Sequence, residues 1–202
     1  AQKLYEEKKI LTYPRTDSRY LPTDMQSEIP EILQALSEVK SLGTLVAQAQ
    51  ASDKKPGKRV FDNAKVSDHF AIIPTKEKPK VSNLNSQELK IYDLVVRRFL
   101  SIFFDPAIYK ECTLITTIEN ELFESKEKIL IDPGYRIVYG DEAKNPLLST
   151  LEKKSAVNLH STEVEEKETK PRPRFSEATL LTAMQTAGKL VDDEELREAL
   201  KE

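Results

Sequence analysis

The apolar residues of this 202-residue chain change their period once, near residue 108. Up to that point they recur every three or four residues, the spacing that turns one face of a helix toward a core. Met25, Ile29, Ile32, Leu33 and Leu36 form such a face over a helix predicted from Asp24 to about Val39, with Thr23 as its N-cap. Pro30 falls inside it and either kinks the helix or delays its start. A short helix follows over about 42–50. Leu89, Tyr92, Val96, Phe99 and Phe103 then mark a long helix that Asn85 or Ser86 caps and that runs to about Phe104. Residues 1–9 read as the last turns of a helix, and Ile10–Tyr13 as a short strand or turn broken by Pro14.

From Tyr109 to about Glu168 the period falls toward two. Thr113–Ile118 and Ile129–Ile131 carry β-branched runs, and Asp132-Pro133-Gly134 is a turn signal. Tyr135–Tyr139 and Ala156–Val164 read as further strands of a curved antiparallel sheet. Lys170–Arg174 is a linker, Ser176 caps a helix from Glu177 to Ala187 that stops at Gly188, and a last helix covers Asp192–Glu202. Helices, then strands, then helices, without βαβ alternation, predict an α+β chain. Its parts are a mainly helical region 1–108, a β-rich region 109–169 and terminal helices 170–202.

No apolar run reaches the roughly 20 residues that span a bilayer. One cysteine, Cys112, leaves no intrachain disulfide to form, and two histidines, His69 and His160, make a zinc site unexpected. A reducing, cytoplasmic compartment fits. The formal net charge of −3 argues mildly against nucleic acid as a partner, although a local basic groove would outweigh it. Ala1 is not an initiator methionine and Glu202 falls inside an apparent helix, so both ends read as cut points in a longer chain.

Three stretches concentrate polar chemistry. In Thr12-Tyr13-Pro14-Arg15-Thr16-Asp17-Ser18-Arg19-Tyr20, the proline forces an extended backbone at Tyr13. An arginine two residues from a tyrosine offers a fork of donors that matches phosphate oxygens, and a guanidinium near a phenol favours the phenolate. The plainer reading is a surface turn, with Tyr13 half-buried and Arg15 paired to Asp17. In Ser67-Asp68-His69-Phe70-Ala71-Ile72-Ile73-Pro74-Thr75, His69 is either a packed, hydrogen-bonded residue or a donor to a phosphate oxygen. In Pro173-Arg174-Phe175-Ser176-Glu177-Ala178-Thr179-Leu180, a helix N-terminus either binds an anion or is simply capped, with Glu177 complementing the dipole. Lys54, Lys55, Lys58 and Arg59 form a loop that reads as solvated or as a phosphate contact.

These stretches resemble motifs of the type IA DNA topoisomerases, in the family's order and at about its separations. "TYPRTDSRYLP" is similar to the active-site motif, most of all in the bacterial topoisomerase III branch. "SDHFAIIPT" and "PRFSEATLLTAM" are similar to the second and third motifs. The resemblance implies that Tyr13 is the nucleophile, that Arg15 positions a phosphate beside it and that His69 donates to the same or a neighbouring phosphate. Thr16, Asp17, Ser18, Ser67, Asp68, Glu177 and Thr179 are implied to support the site or contact DNA. It also implies a toroidal architecture. Residues 1–108 would be its helix-turn-helix-like tyrosine domain, 109–169 part of the β gate or hinge, and 170–202 helices of the strand-binding domain. The implied reaction cuts and reseals single-stranded DNA through a 5′-phosphotyrosine, changing DNA topology without ATP, in a monomer associated with the bacterial nucleoid.

Two departures stand out. Phe70 occupies a position where the topoisomerase III pattern often has a second histidine, and the glycine-rich segment after the third motif is not present. The Mg²⁺ that the resemblance implies would be bound by a Toprim domain outside this chain. No metal ligands are expected here, Asp192-Asp193-Glu194-Glu195 reading as a solvated face, and the chain alone is expected to be inactive. Reverse gyrase shares the same core and is an alternative within the family. Outside it, the alternatives are a non-catalytic DNA-binding module and a protein-interaction domain.

Overall fold

A computed structural model describes residues 1–186, which divide between two compact units, Ala1–Val157 and Asn158–Glu202. The first mixes helices with a two-stranded antiparallel sheet. Its helices are α1 (Gln2–Glu6), α2 (Ile29–Ser37), α3 (Gly43–Ala51) and α4 (Ser86–Leu100). Among the described residues no helix is long and apolar enough to cross a membrane.

The helices pack where the apolar period places them. Ile29, Ile32, Leu33 and Leu36 of α2 are buried against Val46 and Ala49 of α3 and Tyr92, Val96, Phe99 and Leu100 of α4. Burying such side chains stabilises a fold by about 1.5–3 kcal/mol each. Burial also pushes the Tyr92 hydroxyl above its ordinary range. Residue 30 decides where α2 begins. Proline has no N–H to give to the preceding turn, so Thr23–Ser27 forms a 3₁₀ turn and α2 opens at Ile29 with Pro30 in its first turn. Thr23 is therefore not the cap of that helix. The long helix follows its predicted cap closely. The Asn85 side chain accepts from the N–H groups of Gln87 and Glu88, and Glu88 accepts from the Asn85 N–H in return. Leu89, placed on the apolar face by spacing, is instead 41% exposed.

The β region is smaller than its pattern predicts. Strands β1 (Ile108–Ile118) and β2 (Glu121–Asp132) form one hairpin. Glu119 and Asn120, at φ 50° and 74°, supply the left-handed pair of a two-residue turn, whose twist matches that of the strands. Tyr135–Tyr139 is not a strand. Pro133 fixes a turn-like φ, Gly134 takes φ +47°, and Gly134–Tyr139 coils into a 3₁₀ helix that buries Val138. The Tyr135 N–H donates to the Asp105 carbonyl at 2.7 Å. Ala156–Val164 has no strand partner and forms no regular structure. Glu127 ties the loop after the hairpin back onto β2, accepting from the N–H groups of Leu147 and Leu148 at 2.8–3.1 Å.

In the second unit the described residues contain one helix, α5 (Glu177–Gln185). Ser176 caps it as the sequence predicts. The predicted stop at Gly188, the acidic run 192–195 and the last helix lie outside the described residues.

Candidate active site

Two segments, residues 10–21 and 60–75, the second interrupted by a 3₁₀ turn at Asn63–Lys65, run past each other and carry the first two motifs. Leu11 bridges Pro74 in antiparallel fashion and Leu21 bridges Phe61 in parallel fashion. All four side chains are buried, which seats the crossing on the core. Few backbone bonds hold it. The Thr12 N–H donates to the Ile73 carbonyl at 3.0 Å, Ala71 N–H to Tyr20 at 2.9 Å, and Leu21 N–H to Val60 at 2.8 Å. Pro14 and Pro74 each withhold a donor, so no regular ladder forms. The Thr12 hydroxyl fills one gap. It donates to the Ala71 carbonyl at 3.2 Å and accepts from the Ile73 N–H at 2.9 Å.

This crossing delivers the Tyr13 ring half-buried at its edge. The His69 ring lies against it, with centroids 4.2 Å apart at 41°. Tyr5 of α1 also meets the Tyr13 ring edge-on, with centroids 5.3 Å apart. The phenol thus contacts two rings, and the edge-to-face Tyr5–Tyr13 pair is of the kind worth about 0.5–1.5 kcal/mol. Nothing in the spacing of Tyr5 marks it in advance, since it sits in a helical turn outside every motif.

Arg15, Thr16, Asp17, Ser67, Asp68 and His69 line one shallow groove beside that ring. The Thr16 hydroxyl donates to the His69 carbonyl at 2.9 Å and so fixes the histidine's backbone. The Ser67 hydroxyl donates to Asp17 at 2.8 Å. Arg15 is exposed and takes no carboxylate partner among the described residues, so the surface-turn reading that pairs it with Asp17 is not what forms. Nor is the His69 side chain a packed core residue, for it is exposed. Phe70, by contrast, packs against the core.

Ser18 turns away from the groove. Its hydroxyl donates to the Lys65 carbonyl at 2.9 Å and accepts from the Tyr20 N–H at 3.2 Å. Lys65 lies over the Tyr20 ring, 4.8 Å from its centroid, and its hydrogen bond to the Tyr20 hydroxyl raises its pKa above the ordinary lysine value. Glu177 and Thr179 belong to the second unit. Thr179 completes a reciprocal cap with Ser176, and Glu177 stands in the first turn of α5, where a carboxylate suits the helix dipole.

Among the described residues no three His, Cys, Asp or Glu side chains converge to hold a metal ion. Beside the phenol, the groove offers the Arg15 guanidinium, the His69 imidazole, the Thr16 and Ser67 hydroxyls and the Asp17 and Asp68 carboxylates; of these, the guanidinium and imidazole suit a phosphate ester.

A family model described as DNA topoisomerase matches residues 1–188. Proteins named DNA topoisomerase 3 are similar along almost the whole chain. That of Bacillus cereus is 40% identical over 213 aligned positions, covering 99% of this chain and 29% of the relative. Those of Bacillus licheniformis and Bacillus subtilis are 37% and 36% identical, each covering 96% of this chain and 28% of the relative. The chain thus spans less than a third of the length of the relatives it matches.

Proposed function

The chain belongs to the DNA topoisomerase family, and from that premise we propose that Tyr13 is the nucleophile with which a longer type IA enzyme of the topoisomerase III kind cuts one DNA strand. The observation that carries this reading is the apposition of Tyr13 and His69, two residues from separate motifs, beside an arginine without a carboxylate partner.

The chemistry is a transesterification. The Tyr13 oxygen attacks the phosphorus of a backbone phosphodiester. An oxygen–phosphorus bond to tyrosine forms as the bond to the 3′-oxygen breaks. The phenolic proton is lost and the departing 3′-oxygen gains one. The product is a 5′-phosphotyrosine and a free 3′-hydroxyl, which reverses the step to reseal the strand. One ester replaces another, so no ATP is consumed. The chain's own residues position the phosphate and balance its charge: Arg15 by its paired donors, His69 by a ring N–H. Thr16 keeps His69 in place through the bond to its carbonyl, and Ser67 holds Asp17.

In this reading residues 1–108 form the helix-turn-helix-like tyrosine domain, 109–169 belong to the β hinge and 170–202 to the strand-binding domain. Relaxation or decatenation is the work of the full-length cytoplasmic monomer. The ion-binding part of the reaction falls outside the described residues, and the chain alone is read as inactive.

Covalent capture tests this. Full-length protein is mixed with labelled single-stranded DNA and Mg²⁺, then denatured. Wild type leaves a tyrosine-linked strand on a gel, whereas full-length Tyr13→Phe and the wild-type 202-residue chain leave none. An adduct that survives Tyr13→Phe sinks the assignment of the nucleophile.

A further inference from the structure

Beyond the tyrosine, the first unit carries a second depression of about 320 Å³. That is within the range of about 300–1,000 Å³ typical of ligand sites. It adjoins the candidate active site, because Thr16 and Asp17 line both. Arg19, Arg59 and Arg98 stand around it, and Val60, Ile72 and Phe99 are among the apolar side chains beneath them. A further depression continues from it, sharing Arg59, Val60, Arg98 and Ile102 and adding Lys55 and Lys58.

The three arginines arrive from unrelated elements. Arg19 comes from the extended segment 10–21. Arg59 comes from a tight turn in which the N–H groups of Val60 and Phe61 both donate to the Gly57 carbonyl. Arg98 comes from the last turn of α4. Its neighbour Arg97 has an ordinary structural role, pairing with Asp93 at 2.7 Å and donating to the Val138 carbonyl. Among the described residues Arg19, Arg59 and Arg98 take no carboxylate partner, although acidic residues outnumber basic ones, 34 to 31, over the whole chain. The one carboxylate on these two depressions, Asp17, already accepts from Ser67. Three guanidinium groups facing a single carboxylate still carry an excess of positive charge, and their repulsion is relieved when an anion settles among them. Guanidinium groups above an apolar floor suit a strand that presents phosphates on one side and sugar or base on the other.

We propose that Arg19, Arg59 and Arg98 bind the phosphodiester backbone of the same DNA strand whose scissile phosphate meets Tyr13. This rests on the reading of Tyr13 as the nucleophile. Arg15 and Arg19 are four residues apart, at most about 14 Å of extended chain. The arginine depression then extends the active-site groove and fixes which path the strand takes across this unit.

The test measures strand binding by full-length protein, using the fluorescence anisotropy of labelled oligothymidylate over a series of salt concentrations. Arg59→Gln with Arg98→Gln is expected to weaken binding about tenfold and to make the slope of log K against log salt shallower by about 1.4, the share of two phosphates on a single strand. Arg59→Lys with Arg98→Lys keeps both charges and is expected to restore the slope. A glutamine double variant with wild-type affinity and slope overturns the proposal. So does a lysine double variant that fails to restore the slope, since the loss then lies in the fold. Tyr13→Phe separates the two readings: an adduct in that variant overturns the nucleophile alone, and the salt slope reports on the arginines independently.

Discussion

Extended backbone is paired twice in the first unit, and the two pairings are made differently. The β1–β2 hairpin is local, joined through a two-residue turn with a continuous register from Tyr109↔Leu130 to Ile118↔Glu121. The crossing of residues 10–21 with 60–75 joins residues 40 to 63 positions apart, from Leu21–Phe61 to Leu11–Pro74, through a handful of bonds, with two prolines in the way. The hairpin has a full ladder and little core. Ile129 is its buried side chain, while Leu122 is 69% exposed. The crossing has almost no ladder but stands on Leu11, Leu21, Phe61, Ile73 and Pro74. Tyr13 and His69 are borne by the crossing. Side chains that must meet a substrate at fixed positions are better held by a core than by hydrogen bonds alone, because a packed interior has few alternative arrangements.

That contrast breaks most severely at the core. Leu11→Ala should cost about 2–5 kcal/mol of unfolding free energy. Ile115→Ala, at a 53% exposed position on β1, should stay within about 0.5 kcal/mol. Denaturant titration of both variants checks this, and equal losses would mean that the hairpin contributes as much to stability as the crossing does. A middle effect is expected at Thr12. Thr12→Val keeps the shape but leaves the Ile73 N–H and the Ala71 carbonyl unpaired, at a cost of about 1–3 kcal/mol. In full-length protein it should also lower the rate of adduct formation, since those two bonds hold Tyr13 near His69. Unchanged stability and rate would show that the threonine is dispensable.

The smallest effect belongs to the hairpin surface. Glu111 and Lys128 are paired at 2.6 Å directly across the strands. The Lys128 hydrogen bond holds the Glu111 carboxyl below the ordinary glutamate value, and Lys128 is raised in turn. A depressed carboxylate contributes stability above its unfolded pKa and loses it as pH falls through the folded value. Glu111→Gln should therefore matter slightly near neutrality and not at all in strong acid, and salt should erase the difference. Melting curves at two pH values and two salt concentrations would reveal it. A large salt-independent loss would contradict the picture of a solvent-screened pair.

The same contrast explains how much was legible in the sequence. The hairpin announces itself in β-branched runs, because each strand's neighbour lies next to it in the chain. The helices α2 and α4 announce themselves by period and, for α4, by the Asn85–Glu88 cap. The crossing has no such signature. Its partners are remote, its bonds irregular and its key hydroxyl an unremarked threonine beside the tyrosine. Motif resemblance singled out Tyr13 and His69, and the basic loop with Arg59 was open to reading as a phosphate contact, but nothing in the sequence marked the Tyr5 ring beside the phenol or the grouping of Arg59 with Arg19 and Arg98. Tyr135–Tyr139 misleads in the opposite direction. Tyr, Ile and Val favour strands, yet the Pro133-Gly134 pair and the Asp105 carbonyl impose a helical turn.

Gly134 also determines how the hairpin behaves as a mechanical part. A side chain there would place its Cβ 2.4 Å from the Asp105 carbonyl oxygen and 2.6 Å from that of Pro106, so the returning chain is pressed against the residues from which β1 departs. Both legs of the hairpin are clamped at one end. The eleven residues of β1 reach roughly 36 Å from that clamp to the turn at Glu119 and Asn120. The hairpin is therefore anchored at its base, beside the end of α4, and any side chain at residue 134 would pry that base apart rather than disturb the turn.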